Sequence, residues 1–352
     1  MKMIRKRTGL LVWMIVLTAF FCVGCGSRYT RENIDLGMAS VEALDYKTAL
    51  EHFEKAIVNN EHPELLYRGQ GLAYMGLSQY GDAVASFEKA LTYSEMYVTD
   101  LDYDVNYYLA TAYYKNGQLA EAIRVYDAIL DLKEKDVTSL YLRGIVKLDN
   151  RDFDGAVADF DKAIALKPTD YSMIIDVHCA LAAKGYKDKG IEYLQAALDL
   201  KDKNLSDYNK GRIAYYMEDY ENARNLLEQA KNNDNPDTIL MLGRTYEALG
   251  DYNYAASVYT NYLAKDEVQP EICNQLGLCK LKVGDYDSAL TAFQSGLAIE
   301  NNPLKQKLQF NEIVAYEYLG EFKKATVLME AYLKLYPDDT TAKREYEFLK
   351  TR

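Results

Sequence analysis

A small residue followed four positions later by a bulky one recurs nine times along the chain. The pairs are Ala49/Phe53, Ala83/Phe87, Ala122/Tyr126, Ala156/Phe160, Gly190/Leu194, Ala223/Leu227, Ala255/Tyr259, Ala289/Phe293 and Ala325/Met329. Residues four apart share one face of a helix, so each pair predicts a helix with a close-packed stripe. Successive small residues lie 34, 39, 34, 34, 33, 32, 34 and 36 positions apart. Twelve positions before the small residue stands Gly37, Gly71, Gly144, Gly211, Gly243 or Gly277 in six of the nine units. Each period therefore predicts two helices, A and B, joined by a turn. The turn recurs as Leu44-Asp45-Tyr46, Gln79-Tyr80-Gly81-Asp82, Gly250-Asp251-Tyr252, Gly284-Asp285-Tyr286 and Gly320-Glu321-Phe322. Glycine there ends helix A, and the acidic residue favours the start of helix B. Pro168 and Pro337 fall between units, where a helix must stop.

These residues carry a resemblance to the tetratricopeptide repeat family. The resemblance implies a small residue at position 8 of helix A facing an alanine at position 20 of helix B, with an aromatic at position 24 between units. The expected fold is all-α, an α-α superhelical solenoid of about nine helix-turn-helix repeats. Its units lie near 30–63, 64–97, 103–136, 137–170, 171–203, 204–235, 236–269, 270–303 and 306–337. Residues 338–352 place Ala342, Tyr346 and Leu349 at helical spacing and predict a capping helix. Some units depart from the pattern. The fifth has His178 at position 8 and Gly190 at position 20, the third has Ala110 at position 8, and Ile313 in the last should widen its helix pair. Residues 98–102 predict a longer loop or an extended helix end.

The first residues read differently. Lys2, Arg5, Lys6 and Arg7 precede an apolar run from Gly9 to Val23, too short for a stable membrane span and suited to an export signal. Its end, Cys22-Val23-Gly24-Cys25-Gly26-Ser27, resembles the lipobox of bacterial lipoproteins, with Cys22 where leucine is usual. That resemblance implies cleavage after Gly24, a diacylglycerol on Cys25 and a lipidated linker over 25–29. It places the chain on the outer face of the cell membrane or in the outer membrane. Two acyl chains satisfy the requirement for stable anchoring. Residues 1–24 hold four basic and no acidic side chains, so their removal takes the formal net charge from −12 to −16. Such a surface disfavours nucleic acid.

Candidate chemistry is sparse. The three histidines, His52, His62 and His178, stand at no metal-ligand spacing, and no nucleotide-binding or nucleophile-elbow motif occurs. The sequence points to no enzyme, metal or cofactor. Cys179, Cys273 and Cys279 are expected as buried, unbridged thiols.

Tyrosine is in excess, with 32 residues. Tyr46, Tyr80, Tyr220, Tyr252 and Tyr286 are expected in the turns, while Tyr74, Tyr113, Tyr246 and Tyr316, at position 11, are expected to pack against a neighbouring helix. The family exposes positions 2, 5, 9 and 12 of helix A to its groove. The resemblance maps these onto Arg68, Tyr107, Tyr114, Tyr141, Tyr208, Arg212, Tyr215, Arg244 and Phe310. Aromatics and arginines are the types enriched at binding hot spots. The expected function is a lipid-anchored scaffold that holds a protein or peptide in this groove. The alternatives are a glycan- or solute-binding lipoprotein and a structural spacer. The carboxylate clamp of chaperone-binding members is not matched, because Arg68 is followed by Leu72 where asparagine is needed.

Overall fold

The computed structural model describes residues 30–94, 97–231, 235–265, 268–300 and 302–352. The expected signal and the lipidation site at Cys25 lie outside them. The described residues form nineteen α-helices and no strand. Two compact units divide the chain after Lys167. The first holds α1 (Glu32–Glu42), α2 (Tyr46–Val58), α3 (Pro63–Gly76), α4 (Tyr80–Leu91), α5 (Asp100–Lys115), α6 (Leu119–Leu132), α7 (Val137–Asp149) and α8 (Phe153–Leu166). The second holds α9 (Tyr171–Ala183), α10 (Lys187–Asp199), α11 (Asp207–Tyr216), α12 (Tyr220–Ala230), α13 (Pro236–Ala248), α14 (Tyr252–Leu263), α15 (Pro270–Lys282), α16 (Tyr286–Leu297), α17 (Lys305–Tyr318), α18 (Phe322–Leu335) and α19 (Thr340–Leu349).

Every sequence period is one helix pair, its odd-numbered A helix joined to its even-numbered B helix by three residues. The middle residue of each connection is left-handed. It is glycine at 117, 185, 250, 284 and 320, but Leu44, Ser78, Arg151 and Glu218 adopt the same conformation at φ 60°, 59°, 65° and 66°. This turn lets the third N–H bond back to the end of helix A, as Asp285 N does to Lys280 O at 2.9 Å. Gly81, read from sequence as part of the turn, instead sits in the first turn of α4, because Ser78 takes the left-handed position. The tyrosines expected in the turns likewise open the B helices. The residue before each B helix is its N-cap, and Asp45, Asp152, Asp219, Asp251 and Asp285 each accept the N–H three residues on.

Burial explains the glycine twelve positions upstream. Phe53, Phe87, Phe160 and Phe293 are fully buried, and each ring lies flush on the glycine at position 8 of its own unit. A Cβ at Gly37 would stand 2.6 Å from the Phe53 ring. A Cβ at Gly69 of the next A helix would meet the same ring, so Phe53 also fills the joint between repeats, as the family pattern implies. Ile313 and Met329 replace this pair in the last unit, and α17 and α18 touch least extensively of the nine pairs, in line with the expected widening. The extra residues near 100 form a longer helix start. Thr99 caps α5 reciprocally with Asp102, whose N–H donates to Thr99 Oγ1 at 3.2 Å while its carboxylate accepts Thr99 N at 2.6 Å.

Tyrosines at position 11 reach the B helix of the preceding repeat. Tyr246 OH donates to Glu228 at 2.9 Å, and Gln294 Nε2 donates to Tyr316 OH at 3.1 Å. In the first unit Arg143 of α7 forks onto Asp159 of α8 at 2.6 and 2.8 Å and reaches Asp127 of α6 at 2.6 Å. After α18, Ala342 and Leu349 of α19 are buried with Met329 and Tyr332. Cys273 and Cys279 are buried free thiols, as expected, but Cys179 is only half-buried, on the face of α9 that carries Asp176.

Candidate functional site

Within each unit the A helices of neighbouring repeats approach one another, α1 to α3 and α3 to α5, then α9 to α11, α11 to α13 and α13 to α15. Side chains at positions 2, 5, 9 and 12 of the A helices therefore face common space.

In the first unit those side chains are committed to partners inside the fold. Arg68 Nε donates to Asp104, and the guanidinium lies 5.8 Å from the Tyr108 ring centroid. Tyr107 is half-buried with Asp136 near its phenol; burial, then that carboxylate, raises its pKa. Tyr114 OH donates to Asp149, and burial with that carboxylate pushes its pKa up to about 12. Tyr141 packs on Phe160 with ring centroids 6.4 Å apart.

The second unit differs. Three consecutive A helices line an open cavity of about 480 Å³. Ser172 of α9 forms one edge. Tyr208, Asn209, Arg212 and Tyr216 come from α11, and Asp237, Leu240, Met241 and Arg244 from α13. Tyr208, Arg212 and Tyr216 succeed one another at four-residue spacing, one stripe of a helix. Asp237, Met241 and Arg244 make a second stripe. Arg212 Nη1 donates to Ser172 Oγ at 3.1 Å and to Asn209 Oδ1 at 3.4 Å, with its guanidinium 5.4 Å from the Tyr208 ring. Burial raises the pKa of Tyr208 and of Tyr216, keeping both phenols neutral.

The structure thus gathers Tyr208, Arg212 and Arg244 and leaves two other candidates out. Tyr215 turns away to edge contacts with Tyr216 and Tyr220, at 5.3 and 5.5 Å. Phe310 lies against Tyr332 at 5.9 Å, packed onto the core of the last repeat. Ser172 and Asp237 stand at position 2 and Leu240 at position 5 of their units, but were passed over for aromatics and arginines, whereas Tyr216 and Asn209 lie off the family positions. The signal for Tyr216 was its place four residues after Arg212.

The charges around the arginines are unequal to those elsewhere. Arg68, Arg143 and Arg224 close ion pairs with Asp104, Asp159 and Glu221, whereas among the described residues Arg212 and Arg244 close none. Carboxylates do lie within electrostatic reach. The pKa of Asp176 is raised by burial against the opposing pull of Arg212. Glu247 is likewise raised by burial, and it accepts the Tyr259 hydroxyl at 2.7 Å and the Cys279 thiol. Tied up in that way, Glu247 leaves the guanidinium of Arg244 without a bonded counter-ion. Among the described residues, no cluster of three His, Cys, Asp or Glu side chains could hold a metal ion, and no helix is long and apolar enough to cross a membrane.

Sequence patterns described as tetratricopeptide repeat match residues 34–92, 68–137, 137–170, 238–271 and 270–303. Those spans cover more than half of the chain and coincide with the helix pairs. The chain belongs to the tetratricopeptide repeat family. Yeast Tom70 shares this repeat fold at 18% identity with a TM-score of 0.52, over 91% of this chain and 80% of that one. A tetratricopeptide repeat protein from Parabacteroides merdae matches 72% of this chain and 98% of its own at 14% identity, with a TM-score of 0.45. The BBSome complex member BBS4 of Bos taurus is 22% identical over 253 residues, 66% of this chain. The chain spans about half the length of that curated relative, 48%.

Proposed function

We propose that this tetratricopeptide repeat protein is a lipid-anchored scaffold that recruits a protein or peptide at the bacterial cell envelope. The observation that supports the binding role is the cavity shared by α9, α11 and α13, where Tyr208, Tyr216, Arg212 and Arg244 converge. Rigid aromatics and forked donors give large contact area at small conformational cost. A sugar platform needs open ring faces, whereas Tyr215, Tyr216 and Tyr220 lean on one another edge to face. The lipobox-like Cys22-Val23-Gly24-Cys25 supports the anchor. Held at the membrane, the repeats meet envelope proteins at raised effective concentration.

Site-specific photocrosslinking in cells tests the binding role. A photoreactive side chain at Asn209, in the cavity, should trap a discrete partner, and one at the exposed Asn253 of α14 should not. Equal trapping at both positions would place binding outside the groove. For the anchor, incorporation of an alkyne-tagged fatty acid should disappear in Cys25→Ser; persistent labelling would reject Cys25 as the acylated residue.

A further inference from the structure

The chemistry of the ligand can be read from what the cavity lacks. The chain is strongly acidic, with 53 Asp and Glu against 41 Lys and Arg. Of the five half-buried arginines described, Arg68, Arg143 and Arg224 close ion pairs, whereas Arg212 and Arg244 close none, and both line one cavity. Holding a partly desolvated guanidinium away from a carboxylate is unfavourable unless something completes its donor set. Arg212 spends part of its fork on the neutral oxygens of Ser172 and Asn209, which fixes its position without neutralising it. Arg244 stands beside a carboxylate already bonded by Tyr259. Arg212 is therefore held in place by neutral groups, and neither guanidinium closes an ion pair.

The opposite end of the cavity has the opposite sign. Asp237, which also lines the space, stands seven residues before Arg244 on α13, two turns toward the helix start. A run of negative charges would meet that carboxylate. A single acidic group fits at the arginine end, with Leu240 and Met241 lying between the two charges.

We propose that this cavity binds one aspartate or glutamate of an extended peptide segment. The carboxylate lies against Arg212 and Arg244, and an adjacent apolar side chain packs on Leu240 and Met241. This rests on the groove reading above and narrows its partner to a segment of that composition. The site differs from a terminal-carboxylate clamp because its cations are arginines of two consecutive A helices, so an internal acidic side chain serves as well as a chain end.

The test is selection of short random peptides on the full-length protein, followed by fluorescence anisotropy with the best binder. The enriched peptides should carry Asp or Glu beside an apolar residue. Replacing that acid by its amide should weaken binding roughly tenfold or more, as for loss of a partly buried charge partner. Arg244→Gln should weaken the acidic peptide by a similar factor and the amide peptide far less, with an unchanged thermal midpoint. Arg244→Lys, which keeps the charge but not the fork, should fall between. Peptides selected without an acid, or indifferent to Arg244→Gln, would overturn this inference while leaving peptide binding in the groove intact. Displacement of the peptide by inorganic phosphate at equal concentration would show a general anion site and also overturn it. If no peptide is enriched at all, both readings fail together.

Discussion

His178 of α9 and Gly190 of α10 carry exchanged sizes: the large residue sits where seven of the other eight units keep glycine or alanine, and glycine sits where all eight keep alanine. The fit is tight, since a Cβ at Gly190 would lie 2.6 Å from His178 Nδ1 and 3.0 Å from its Cα. The ring is 4% exposed, and burial lowers its pKa, so the neutral imidazole fills the space. Leu194 at position 24 in place of an aromatic completes the exchange. Gly190→Ala should therefore destabilise the protein by about 1–3 kcal/mol through overpacking. His178→Ala should be destabilising as well, yet the double variant restores small against small and should cost less than the two singles together. Strict additivity of urea-denaturation free energies would mean that the two residues do not share the space.

The left-handed connections lead to a second expectation. Arg151 holds φ 65° at a site where five other units place glycine. A side chain in that conformation costs about 1 kcal/mol relative to glycine. Arg151→Gly should raise the free energy of unfolding by about that amount, and Gly284→Ala, whose φ is 81°, should lower it by at least as much. Here the measurement is a pair of thermal midpoints; a fall with Arg151→Gly would show that its side chain contributes more than the strain.

These turns mark where sequence stopped being legible. The helix pairs were readable because Phe87 and Gly71, sixteen residues apart, must touch and so constrain both identities. The left-handed position was readable only where glycine fills it. At Ser78, Arg151 and Glu218 the backbone is imposed by the packing of the helices on either side, and the side chain carries no trace of it. The groove shows the same division. Tyr208, Arg212 and Arg244 were reachable from helix register alone. That Tyr215 turns toward Tyr220, or that Tyr259 occupies Glu247 and so leaves Arg244 unpaired, depends on side-chain partners that spacing does not encode.

Asp159 holds the most concentrated charge cluster in the first unit. It is 2% exposed, takes both arms of Arg143 and also binds Lys147 Nζ at 2.8 Å. Deleting it would leave two cations without their shared partner. Asp159→Ala should cost about 3–5 kcal/mol, the range for breaking a buried ion pair from one side. Changing Arg143 and Asp159 together to apolar residues of similar volume should cost less than Asp159→Ala alone. Chemical denaturation of the two variants decides it, and a loss below about 1 kcal/mol for Asp159→Ala would mark the cluster as solvent-screened.

Acid and base act on this chain at opposite ends of the scale. Asp285 is held below the usual carboxylate range by hydrogen bonds from Lys280 and Ser288, and Asp45 by Thr48. Their folded-state pKa lies below the unfolded one, so their stabilisation is present above about pH 4 and fades as pH falls further. Glu317 of α17 behaves in reverse. Burial, then the charge of Glu345 on α19, raises its pKa to about 7. The folded protein thus binds a proton there that the unfolded chain has released. That contribution is full below the ordinary glutamate pKa and is lost as pH rises through about 7. Stability of the second unit should therefore be higher at pH 5 than at pH 8. Glu317→Gln, a permanent stand-in for the protonated acid, should raise the thermal midpoint at pH 8 and leave it nearly unchanged at pH 5. If the variant gains equally at both values, its effect is packing rather than charge, and the α17–α19 contact carries no proton.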